Sequence, residues 1–186
     1  MTATREPVLR LRPAVAERTR DERRLRLAAT FFAIAVLIHN SDHLRRGGDS
    51  VSASVFWIGT AAVFLEVALV VLVFANHPLA PQAATLGGFV LAVGYIFVHF
   101  TPTRAWLSDS FVSGGASALS VFAAGIETAA AITLAFVGRS MWPTREEWRE
   151  PRRQRASIWS ALRHPVPLTL LIGNVIILVG SFITRY

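Results

Sequence analysis

Five apolar runs, each about 20 residues long, limit what this chain can fold into. They cover Leu27–Leu44, Val55–Ala75, Ala83–Phe100, Gly115–Gly138 and Pro165–Thr184. At ~1.5 Å per helical residue, each is about the length needed to cross the ~30 Å hydrocarbon core of a bilayer. The first, apolar for only twelve residues before His39, could not span as a lone helix facing lipid. The pattern predicts an all-α integral membrane protein: a four-helix transmembrane bundle with a polar interior, and a fifth C-terminal transmembrane helix packed outside it.

Composition supports this class. The 186 residues suit a single domain, and 53% are hydrophobic against 17% charged. Four segments follow: an Arg-rich arm over 1–26, the bundle over 27–138, a polar segment over 139–164 and the last helix over 165–186. All 19 basic residues are arginine; eight lie in 1–26 and seven in 139–164. Clustered in this way beside apolar runs, they set topology and meet anionic lipid headgroups, and they do not form a patch for reading nucleic acid. With only Arg45, Arg46, Arg104 and Arg185 on the other side, the N-terminus is expected in the cytoplasm and the C-terminus outside, in the plasma membrane of a bacterium. The start, MTATREPVLRLRP, lacks the apolar centre of a signal peptide, so the first span is expected to be a retained signal anchor. The arm is expected to be broken at Pro7 and Pro13, with Ala14–Arg26 either a polar helix entering the first span or disordered. In 139–164, Trp142, Trp148 and Trp159 among arginines suggest an interfacial amphipathic piece, with a partner-binding loop as the rival. The chain has no cysteine. Thiol chemistry, disulfides and Fe–S clusters are therefore excluded.

The chemistry lies in the few ionisable residues inside these runs. The first span is apolar for only twelve residues before His39-Asn40-Ser41-Asp42-His43. On a helix His39 and His43 stack one turn apart, with Asp42 on the same side. Glu66, His99 and Glu127 follow in the next three spans. Such groups are costly in lipid and are expected to face protein. Their helical faces agree: Ala35 and Phe32 accompany His39, Gly59 and Ala62 accompany Glu66, Gly88, Ala92 and Tyr95 accompany His99, and Ser120, Ala123 and Ala131 accompany Glu127. Small residues mark the stripes where membrane helices approach. Depth agrees too, with His39, Glu66 and Glu127 near mid-membrane and His43 and His99 nearer the outside. His39, His43, Glu66, His99 and Glu127 are thus candidate metal ligands, with Asp42 and Tyr95 as further ligands or supporting groups. One mononuclear site could not use them all, so two adjacent metals, or one site with a polar access path, are expected. Arg104 and Asp109 would stand at the external mouth as a proton exit or a plain loop salt bridge. His77 and His164, each before a proline, read as structural, and Asn174 as an interhelical hydrogen bonder on a face with Gly173 and Gly180.

Taken together, the first four spans resemble the DoxX-like family, small four-helix membrane proteins related to a subunit of thiosulfate–quinone oxidoreductase. Members tend to carry His-Gly-x-x-Lys late in the first helix and a glutamate in the second. A histidine before a proline-containing turn ends the third helix. A Gly-Gly-x-Glu-like element occurs in the fourth, which closes on Gly-Arg-Ser. Here His39 matches the motif histidine, with Asn40 for its glycine and His43 for its lysine. Glu66, His99 in FVHFTP, Glu127 in AAGIE and GRS at 138–140 match the rest. The resemblance covers about residues 27–140 and implies association with a membrane redox complex.

Imidazoles and carboxylates without sulfur suit non-haem iron, copper, zinc or manganese, and four-helix bundles hold such centres between their helices. Haem between the first and third helices is a second arrangement. A metal-free quinone or proton-handling site, extended by Tyr95, is a third. A non-catalytic accessory subunit, docking through the fifth helix and the Trp/Arg segment, is the competing class. Singly, each polar residue could also be an interhelical packing device.

Overall fold

The computed structural model describes residues 6–47, 50–102, 107, 109–112, 115–142 and 157–185, with side chains from residue 19 onward. They form α1 (Glu6–Arg46), α2 (Ala53–Phe74), α3 (Ala80–Phe100), α4 (Ala118–Ser140), α5 (Ile158–Leu162) and α6 (Pro165–Ile183), with no strand among them. Five helices are long and apolar enough to cross a membrane: Thr19–Arg46 within α1, α2, α3, α4 and α6.

Local chemistry sets their ends. Ser52 and Ser117 cap α2 and α4, each side-chain oxygen accepting a backbone N–H of the first turn at 3.2 Å. Prolines sit at the starts of α3 and α6, where no backbone donor is needed. His77 and His164 each accept a neighbouring backbone N–H through Nδ1, so both are structural. The arm departs from expectation, since α1 runs unbroken through Pro7 and Pro13. Pro7 lies in its first turn, and Pro13 removes a single hydrogen bond from a helix of 41 residues. Trp148 and the rest of 143–156 lie outside the described residues.

α3 and α4 form the closest pair, because glycine allows it. A Cβ at Gly88 would meet the Ala131 carbonyl at 2.7 Å, and one at Gly138 would meet the Pro81 carbonyl at 2.7 Å. α1 lies along α4, and α6 packs outside against α1 and α2. Leu37 and Leu44 of α1 fill the surfaces over Gly173 and Gly180. Between them Asn40 donates to Asn174 Oδ1 at 2.7 Å, the hydrogen bond expected of Asn174. Phe32, Val36, Val70, Leu134 and Leu170 fill the interior, while Phe64, Val93, Phe136 and Ile176 point outward as lipid-facing residues.

One stripe differs from expectation. Gly59, on the face of Glu66, has nothing within 4 Å of a built Cβ, and neither has Gly94 across from it. α2 and α3 do not close there; they leave a cavity. Small residues made a gap at this point because no neighbouring side chain comes in to fill it.

Candidate metal centre

The C-terminal end of α1 presents His39 and His43 one turn apart, with their Nε2 atoms 2.9 Å from each other. His99, in the last turn of α3, completes the group: its ring centroid lies 4.8 Å from that of His39 and 5.9 Å from that of His43. One ligand nitrogen from each lies within 4.8 Å of the others. His39 and His99 are only 4% and 3% exposed. Three imidazoles on one ion at 2.0–2.1 Å would stand roughly 3.3 Å apart, so the cluster is near that spacing before any ion is added. This buried group could hold a metal ion.

Proton placement bears on that capacity. His99 Nδ1 faces the Asp109 carbonyl at 3.3 Å, which can only accept, so Nδ1 carries the proton and Nε2 the lone pair. Arg46 Nη2 lies 2.9 Å from His43 Nδ1 and can only donate. Neutral His43 therefore carries its proton on Nε2 and donates it to His39 Nε2. That leaves the proton of His39 on Nδ1, which has no hydrogen-bond partner among the described residues. Two of the three histidines thus hold the tautomer that metal ligation at Nε2 requires. For His43 to ligate through Nε2, its proton would have to move to Nδ1, which gives up the hydrogen bond from Arg46.

A charged shell surrounds the cluster on the side of the α1 C-terminus. Arg46 donates twice to Asp109, at 3.1 and 2.7 Å, and its Nε lies 3.2 Å from Asp42 Oδ2. Arg45 donates to Asp42 Oδ1 at 2.9 and 2.7 Å and reaches Ser120 on α4. Asp42 therefore binds arginines, and the expectation that it orients a histidine is not met: with Arg45 and Arg46 three and four residues on, it lies on their face of α1. Asp109 takes the orienting role, with its carbonyl on His99 and its carboxylate 3.6 Å from Nδ1. Phe111 stacks on the His99 ring at 4.9 Å. Arg104 lies outside the described residues.

Deeper in the bundle the carboxylic acids form a second tier. Tyr95 donates to Glu66 Oε1 at 2.7 Å, and Glu127 Oε2 lies 3.7 Å from His39 Nε2. Glu66 is 2% exposed and Glu127 fully buried, yet Glu66 Oε2 and both oxygens of Glu127 have no hydrogen-bond partner among the described residues. A cavity of about 540 Å³ reaches these groups and the histidines.

His39, His43, Glu66, Tyr95, His99 and Glu127 thus come together from four helices. The three histidines form one group, Glu127 adjoins it through His39, and Glu66 follows through Tyr95. From the sequence, Arg45 and Arg46 count only towards topology and Ser120 only as a companion of Glu127, while nothing singles out Phe111. The spacing of the two arginines from Asp42 was a usable signal; the stacking of Phe111 had none. The chain matches no protein-family model, and no curated protein or solved structure is significantly similar to it.

Proposed function

We propose that this membrane protein binds one transition-metal ion at His39, His43 and His99, near the extracytoplasmic face, and serves as a component of a membrane redox system. The carrying observation is three imidazoles, two from α1 and one from the last turn of α3, that each offer a ring nitrogen within 4.8 Å of the others. Nitrogen donors without sulfur favour zinc, copper or iron in this role. A small ion is preferred to haem, because His39 and His99 are in ring-to-ring contact and leave no slot for a porphyrin. Glu127 and Glu66 lie next in line as proton acceptors or as a further carboxylate ligand set. The resemblance to the DoxX-like family supports the redox assignment and an association with a larger membrane complex.

The test is elemental analysis of the full chain, purified in detergent without a polyhistidine tag, with an optical spectrum. About one equivalent of a single metal is expected. His39→Ala and His99→Ala should each abolish it while keeping the helical circular dichroism of the parent. Metal content unchanged in both variants, or no uptake by the parent after reconstitution with iron, copper or zinc, would refute the proposal.

A further inference from the structure

We infer that the cavity between α2 and α3 binds a neutral, lipid-soluble molecule with a hydroxyl head, an alcohol or a phenol, drawn from the bilayer. The cavity is lined mostly by apolar residues of α2, α3 and α6, and Glu66, Tyr95, Glu127 and the three histidines also line it. Ile58, Val90 and Phe97 line it and are also exposed on the lipid-facing surface, so its mouth opens onto acyl chains. Gly59 and Gly94 keep it open, since a side chain at either would meet nothing.

The head group follows from a count of hydrogen-bonding atoms. Two buried acids bring four carboxyl oxygens; Tyr95 serves one, and three have no hydrogen-bond partner among the described residues, although His39 Nε2 stands 3.7 Å from Glu127 Oε2. Even with a proton on each acid, acceptors outnumber donors. An occupant that can both donate to these oxygens and accept from a protonated acid suits the site in either state, and a hydroxyl does both. A carboxylate would set like charge against like. A quaternary ammonium has no N–H to give. The neutrality of the occupant rests on the metal reading: a dication on three neutral imidazoles offsets whatever negative charge the two acids carry, so the ligand need supply none.

Calorimetric titration of the metal-loaded full chain in detergent with 4-octylphenol, octanoate and octyltrimethylammonium compares three heads on one tail. Octylphenol is expected to bind saturably, one per chain, and at least tenfold tighter than the other two. Gly94→Leu and Gly59→Leu fill open space and so should fold. Each should weaken octylphenol at least tenfold with metal content unchanged, and Glu66→Gln should weaken it about tenfold. Tighter binding of either charged probe, no saturable binding of octylphenol, or parental affinity in both leucine variants would overturn the proposal. Elemental analysis of the same samples separates the two readings, because loss of octylphenol binding with metal retained counts against this inference alone.

Discussion

Asp109 belongs to a loop, yet it holds both His99 and Arg46. A residue that fixes a ligand's orientation commonly contributes ten- to a hundredfold in metal affinity. Asp109→Ala is accordingly expected to weaken the ion about tenfold in a chelator competition, without loss of helical signal. Glu127→Gln should behave differently, since Glu127 adjoins His39 and stands outside the three-histidine group. It should retain the metal stoichiometry of the parent while moving the optical spectrum of a bound copper ion; loss of the metal would make Glu127 a ligand. At this scale the sequence was legible where spacing on a single helix decides the outcome. His39 with His43, and Tyr95 with His99, share a face by geometry alone. It was illegible where a loop returns: Asp109 and Phe111 reach His99 through backbone bonds from Asp109 to Val98 and from Phe111 to His99, which no periodicity announces.

Among the elements, glycine has two opposite uses. Gly88 and Gly138 let α3 and α4 touch, whereas Gly59 and Gly94 border open space in the cavity. Hydropathy located the five spans but could not separate these uses, because the stripe of small residues looks alike in both. Whether the facing helix carries a filling side chain is a property of the pair. Gly88→Leu is therefore expected to abolish recovery of folded protein in detergent, in contrast to Gly94→Leu. α6 is held by Leu37, Leu44 and the Asn40–Asn174 hydrogen bond. Interhelical hydrogen bonds of this kind average well under 2 kcal/mol, so Asn174→Leu should lower stability by about 1 kcal/mol in an SDS unfolding titration. A change above ~3 kcal/mol would mean that α6 is integral to the bundle and is not a helix added to its side.

For the molecule as a whole, the arginine distribution predicts which way it sits. The absence of cysteine makes that simple to check. Single substitutions Val112→Cys and Leu79→Cys fall at exposed positions at opposite ends of the bundle. A membrane-impermeant maleimide added to intact cells should label the first and spare the second; the reverse pattern would invert the topology. Under the expected topology, which puts the histidines on the outer side, their depth acquires an electrical meaning. His39 lies seven residues from Arg46 at the helix end, or roughly 10 Å, about a third of the insulating layer. A divalent ion arriving from outside descends through that share of the membrane field. At 100 mV, negative within, the field favours its arrival by about 1.5 kcal/mol. An energised cell would thus fill the site about tenfold more readily than a depolarised one, tying the charge state of this protein to that of the membrane around it.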